Sequence, residues 1–297
     1  MLALSAAVFS ACSPKSESAQ PAGPAQKRAT KTTILTPEAA GEKCYGENGV
    51  SIDASHITDG YIMVRYTGEA AKAKVQITVP DGSVYTYTLL GDSYETIPIS
   101  SGSGKYQINV LEQAYDNMYA LLFTADLEAE LSDGFKPFLY PNQYVWFTAD
   151  SNVVELARQQ SEQSGSDLDY VARVYHYVIE NIDYDTVKAQ TVPGGYVPDV
   201  DAVLAEGKGI CFDYASLMAA MLRCQGIPTK LQVGYSGQAY HAWISVYLEE
   251  AGWIDQVIRF DGKEWSLIDP TLAANNDAQA VRKYVGDGTN YTVKYSY

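Results

Sequence analysis

Histidine and cysteine are scarce in this 297-residue chain: its histidines are His56, His176 and His241, and its cysteines Cys12, Cys44, Cys211 and Cys224. Histidines so scattered, with no C-x-x-C spacing, exclude a zinc-finger type of centre, and no Asp-rich loop has the spacing of an EF-hand. No metal site and no cofactor is implied. The cysteines make no disulfide framework, although a Cys44–Cys224 bridge stays open. Positive charge is also short. Lys plus Arg number 21 against 36 Asp plus Glu, a net charge of −15, which repels phosphate backbones and gains nothing from anionic lipid. Nucleic acid is therefore excluded as a partner, and the charge reads as solubility. Phenylalanine is rare too, 7 against 24 tyrosines, a bias that suits β-structure and contact with polar polymers.

The apolar run Met1–Ala11 is too short to span a bilayer. It ends in small residues before Cys12, and Phe9-Ser10-Ala11-Cys12 resembles a bacterial lipobox. Residues 1–11 are thus expected to be a lipoprotein signal peptide, and Cys12 the lipidated residue. The stretch behind it, rich in Ser, Ala, Pro and Lys, cannot build a core, so residues 12–44 are expected to be a flexible tether. An exported protein, lipid-anchored at the cell membrane or surface, is the expectation.

From residue 45 the pattern changes. Ile62–Tyr66, Val75–Val79, Ser83–Leu89, Tyr94–Ile99, Tyr106–Leu111 and Tyr119–Leu127 alternate with a period near two, separated by turn signals such as Pro80-Asp81-Gly82. The spacing predicts an immunoglobulin-like β-sandwich over 45–132. It carries no chemical cluster, so it is expected to be a spacer or binding module, with His56 structural.

Helical periodicity begins after residue 150. Asp150-Ser151 precedes a run from Val153 to Gln163, and Ser166-Asp167 caps a second helix with Val171, Val174, Tyr175, Val178 and Ile182 on one face. His176 lies beside that stripe and reads as structural. A short helix is expected at 199–205. A third long helix opens around Gly209-Ile210-Cys211 and ends at Gly226 and Pro228. Strands follow at 229–235, 239–248 and 264–269. Residues 133–297 therefore predict a second domain, in which a helix packs on an antiparallel sheet, an α+β layout.

Three residues of this half carry candidate chemistry. Cys211 lies in the first turn of a helix, where unpaired N–H groups and the dipole favour a thiolate. His241 lies on a strand, on the face opposite Ala242, Ile244 and Val246, and could take the thiol proton. Asp269 ends an apolar strand and could orient the imidazole while satisfying its own charge. Each alone has a bland reading: a buried helix cysteine, a satisfied core histidine, a turn aspartate before Pro270. The order Cys, His, Asp on helix, strand and next strand is the specific signal. Cys224, near the end of the same helix, has no glycine approach and reads as core.

Gly209-Ile-Cys211-Phe-Asp213-Tyr214-Ala215, Leu222-Arg-Cys-Gln-Gly226-Ile-Pro228, His241-Ala-Trp243 and Trp265-Ser-Leu-Ile-Asp269-Pro270-Thr271 resemble the transglutaminase-like superfamily, papain-related in its active-site chemistry. Asn181-Ile-Asp-Tyr184-Asp185 extends the resemblance upstream, to roughly residues 145–275. The resemblance implies a catalytic triad of Cys211, His241 and Asp269, and a thioester formed on Cys211 and resolved by water or an amine. In the animal enzymes a tryptophan before the nucleophile helps hold the oxyanion, and its place falls on Tyr196, which makes Tyr196 the oxyanion candidate. The expected function is an exported thiol enzyme acting on amide bonds of surface proteins or cell-wall peptides. Its alternatives are protein-glutamine gamma-glutamyl transfer (cross-linking) and a non-catalytic surface scaffold.

Overall fold

The computed structural model describes residues 27–236, 238–255, 258–260, 265–267 and 291–297. The signal-peptide and lipidation expectations, including Cys12, lie outside these residues, as does Asp269. The chain is mixed α and β. Its N-terminal part is β-rich, as the alternation predicts. The strands are β1 (Cys44–Tyr45), β2 (Val50–Asp53), β3 (Tyr61–Tyr66), β4 (Ala73–Thr78), β5 (Val84–Leu89), β6 (Glu95–Pro98), β7 (Gly104–Tyr115) and β8 (Met118–Ala129). They form two four-stranded sheets, ordered β1-β2-β3-β6 and β5-β4-β7-β8. All pairings are antiparallel. Period-two burial runs through β4, where Val75 and Ile77 are buried and Lys74 and Gln76 half-buried.

The second part is built around one helix. Helices α1 (Asn152–Glu162) and α2 (Asp167–Asn181) come first; then β9 (Asp183–Tyr184), α3 (Thr186–Thr191), α4 (Val200–Glu206) and β10 (Lys208–Gly209) lead to α5 (Cys211–Cys224). Ser166 caps α2 as predicted, its side chain accepting from Asp169 N. Every residue of α5 from Asp213 to Cys224 is buried. A helix apolar on nearly all sides must be surrounded, and α1, α2 and α4 cover α5 on one side while the sheet covers it on the other.

That sheet is ordered β13-β12-β11-β16, from β11 (Thr229–Ser236), β12 (Ala239–Leu248), β13 (Gly252–Ile254) and β16 (Tyr291–Ser296). The remaining strands, β14 (Ile258–Phe260) and β15 (Trp265–Leu267), pair with each other in a separate ribbon. This corrects the expected single sheet: the strand before Asp269 does not continue from β12, and the C-terminal β16 takes the place beside β11. Gly234 permits that placement, because a Cβ there would collide with the carbonyl of Thr292 on β16.

Two further features differ from the sequence reading. Residues 28–31, read as tether, are held against the helices. Arg28, its side chain 5% exposed, meets Asp167 Oδ1 at 2.5 Å, Ser161 Oγ at 2.6 Å and the Gln225 carbonyl at 2.6 Å, and it covers the Tyr170 ring. A guanidinium with these acceptors and an aromatic face beneath it fixes a segment that composition alone reads as loose. Several tyrosines, whose abundance suited contact with polar polymers, instead line the seam between the two parts. Tyr85 and Tyr87 of β5, Tyr144, Tyr295 and Tyr297 stack or meet edge-on with centroids 4.6–6.1 Å apart. No helix of the described residues is long and apolar enough to cross a membrane.

Candidate active site

The approach to Cys211 is set by a short parallel ribbon. β9 pairs with β10, placing Tyr184 opposite Gly209. Asp183 N donates to Gly207 O at 2.8 Å and Asp185 N to Gly209 O at 2.9 Å. Gly209 is needed for close approach, since a Cβ there would lie 2.7 Å from the Asp213 Cβ. Ile210 is the extended N-cap of α5 and Cys211 its first residue. The side chain at the cap cannot accept, so Asp213 reaches back instead, its Oδ2 accepting from Ile210 N at 2.8 Å.

Asp213 is fully buried, and a carboxylate there needs compensation. Lys188 of α3 supplies it. Its Nζ lies 2.7 Å from Asp213 Oδ2 and 2.7 Å from the Tyr196 hydroxyl. Burial works against the Lys188 charge, but Asp213 and Tyr196 outweigh it and raise its pKa. The Tyr196 hydroxyl donates to Asp213 Oδ1 at 2.6 Å. Burial first, then the Asp213 carboxylate, pushes that phenol up to about 12. The proton that Tyr196 would offer an oxyanion is therefore given to Asp213, and the cluster braces the turn that carries Cys211. Sequence reasoning assigned no role to Lys188 or Asp213. The available signal was the carboxylate at the third helical position behind a cap that cannot accept.

The Cys211 thiol is partly buried and lies against the backbone N–H of Ala242, the residue after His241 on β12. Helix and strand thus bring Cys211 and the His-Ala-Trp segment together. Burial raises the thiol pKa; the N–H groups of Ala242 and Phe212 oppose this but do not overcome it. The expectation of a resting thiolate is corrected here, because desolvation exceeds what the helix terminus returns.

His241 is buried, and burial lowers its imidazole to about 4. It is opposite Gly234 in the β11–β12 register. Its neighbour Trp243 donates from Nε1 to Gln232 Oε1 at 2.9 Å, and Ser245 Oγ donates to the same oxygen at 2.6 Å. These bonds fix the polar face of β12. With the imidazole neutral and the thiol protonated, a proton passing from one to the other would do so as attack occurs, in place of a standing ion pair.

Tyr184 is the hydroxyl found at Cys211. It is half-buried; its phenolic oxygen accepts from the backbone N–H of Cys211, and its O–H donates to the Cys211 sulfur. Of the other histidines, His56 pairs with Asp59 at 3.2 Å in the β-rich part and His176 is exposed on α2. Cys44 is exposed and Cys224 buried, both free thiols. Among the described residues no group of His, Cys, Asp and Glu could hold a metal.

Residues 154–256 match the family model of the transglutaminase-like superfamily. The matched stretch contains Cys211 and His241 and ends before Asp269. Among curated proteins, the human kyphoscoliosis peptidase is 29% identical over 136 residues, covering 42% of this chain and 18% of the human protein. The uncharacterized protein YebA of Bacillus subtilis is 29% identical over 144 residues, with the same coverages of 42% and 18%. The match thus spans less than a fifth of each relative. Among solved structures, a candidate cysteine protease of Cytophaga hutchinsonii aligns over 80% of this chain and 83% of its own, at 16% identity and TM-score 0.38. Red sea bream transglutaminase aligns over 73% and 48%, at 11% identity and TM-score 0.30. These structural likenesses are too loose to align residues, and the domain assignment rests on the sequence match.

Proposed function

We propose that the transglutaminase-like domain at residues 154–256 works as a thiol acyl-transfer domain, in which Cys211 attacks an amide carbonyl and His241 accepts the thiol proton. The observation that carries this reading is the placement of the Cys211 thiol, at the first position of a buried helix and against the Ala242 N–H that follows His241. Asp269 is the proposed orienting carboxylate, on the order Cys, His, Asp in the sequence. Attack forms the S–C bond and moves the thiol proton to the imidazole. Collapse expels the amine, which takes that proton, and leaves a thioester. Water then releases the acid. Hydrolysis of protein or cell-wall peptide amides is preferred to cross-linking, because water is always present to resolve the thioester.

The export reading remains part of the proposal. The apolar run before Cys12 and the Ser- and Pro-rich stretch behind it support a lipid-anchored protein at the cell surface. The β-rich part, proposed as an immunoglobulin-like sandwich, then acts as spacer or binding module. Cys12→Ser should release the protein from the membrane fraction; retention there would refute the anchor.

The chemistry is tested by incubating the protein with p-nitrophenyl acetate, an activated acyl donor, and measuring intact mass and p-nitrophenol release. An acetyl thioester on Cys211, lost in Cys211→Ala and His241→Ala, is expected. Acetylation that ignores both substitutions would refute the reading and leave a surface scaffold in its place.

A further inference from the structure

An attacked carbonyl places negative charge on its oxygen, within reach of the backbone N–H of the nucleophile's own residue. Cys211 is the first residue of α5, so its N–H has no partner within the helix. The group found at that N–H is the Tyr184 phenol, which also bonds the Cys211 thiol. Tyr184 is held there from several sides. The β9–β10 register sets it opposite Gly209, and Asp183 and Asp185 anchor both flanks of the ribbon. The Tyr214 hydroxyl donates to the Ile182 carbonyl just before it, and the Tyr214 ring lies 6.3 Å from its own. The Tyr196 hydroxyl, by contrast, is occupied by Asp213 and Lys188.

We propose that Tyr184 is a catalytic residue, the side-chain half of the oxyanion site, paired with the backbone N–H of Cys211. This rests on the thiol acyl-transfer reading above. As a carbonyl enters, the phenol moves off the Cys211 N–H. The Cys211 Sγ–C bond forms, the carbonyl π pair moves to oxygen, and the thiol proton goes to His241. The Tyr184 O–H and the Cys211 N–H both donate to the new oxyanion. On collapse the pair returns, the bond to the leaving group breaks, and the leaving group takes the proton from His241. Tyr184 keeps its own proton throughout.

Two reactions of the same sulfur separate this role from a structural one. Acylation by p-nitrophenyl acetate passes through an oxyanion; alkylation by iodoacetamide displaces iodide at a saturated carbon and does not. In the full chain carrying Tyr184→Phe, acylation of Cys211 is expected to slow about 10²- to 10³-fold, with alkylation of Cys211 held within about twofold. A circular-dichroism spectrum and urea midpoint matching those of the wild type show that the variant has folded. Equal slowing of both reactions would make Tyr184 a structural residue, and unchanged acylation would remove it from the oxyanion site; either result overturns the proposal. If the wild-type protein shows no acylation beyond that of Cys211→Ala, the acyl-transfer reading itself has failed, and this proposal with it.

Discussion

The two cysteines of α5 occupy opposite ends of one helix and meet opposite environments. At the C-terminal end Cys224 is buried, its thiol donates to Met221 O at 3.3 Å, and burial lifts its pKa to about 12. At the N-terminal end Cys211 is only partly buried, and the Ala242 N–H of β12, the Phe212 N–H of its own helix and the Tyr184 phenol lie against it. Both thiols are raised by burial, so a low resting pKa is not what separates them. The difference lies in access and in neighbours: one sulfur faces a carbonyl of its own helix, the other faces donors and lies beside a strand carrying histidine. The two sulfurs meet opposite backbone groups because the first turn of a helix leaves N–H groups unpaired and the last turn leaves carbonyls.

The sharpest way to break this comparison is to exchange each sulfur in turn. Cys211→Ala should lower acylation by p-nitrophenyl acetate on the order of 10⁴-fold or more, and Cys224→Ala should leave it unchanged. Comparable losses in both would show that the two ends are equivalent. Next comes the charge that braces the reactive end. Asp213→Asn leaves Lys188 without its carboxylate and should cost about 3–5 kcal/mol in urea unfolding. Removing the exposed carboxylate Asp169, which pairs with Arg173 at 3.4 Å on α2, should cost no more than about 1 kcal/mol. Similar costs would mean that the Asp213 pair is not special.

The histidine beside the reactive end gives a pH signature. The His241 imidazole is held at about 4 in the folded chain, against 6.5 ordinarily. Between those values the unfolded chain binds the extra proton, so stability falls as pH drops from 6.5 towards 4 and is complete above 6.5. The loss attributable to this residue is on the order of 3 kcal/mol, and His241→Gln should flatten the profile in that window. An unchanged profile would show that its burial does not control its proton. The smallest effect belongs to the quiet end, where Cys224→Ala should cost about 1 kcal/mol of stability, read as a shift in the urea midpoint.

Much of this was legible before any coordinates. The strands between Tyr61 and Leu127 follow from alternation, and α1, α2 and α5 follow from their caps and apolar spacing, because these patterns arise within a few residues of chain. The nucleophile turn was legible for the same reason: Gly209 and Cys211 are local neighbours. Tyr184 and Asp213 stood inside quoted motifs, yet no role could be assigned to them. Their partners lie on other elements, and side-chain distances across elements are not written in local order. The docking of Arg28 on Asp167 and Gln225 escaped for the same reason, as did the insertion of β16 beside β11.

By itself, then, the sequence determined which segments become strands and helices, that Cys211 heads a helix, and that His241 follows it on a strand, since backbone preference and apolar period act over short range. Only the tertiary structure decided that the Tyr196 hydroxyl is taken by Asp213 and Lys188 and that Tyr184 stands at Cys211. It also decided that the resting thiol is raised in pKa. These depend on how deeply each group is buried and on which distant donor arrives first, and burial is a property of the packed chain as a whole.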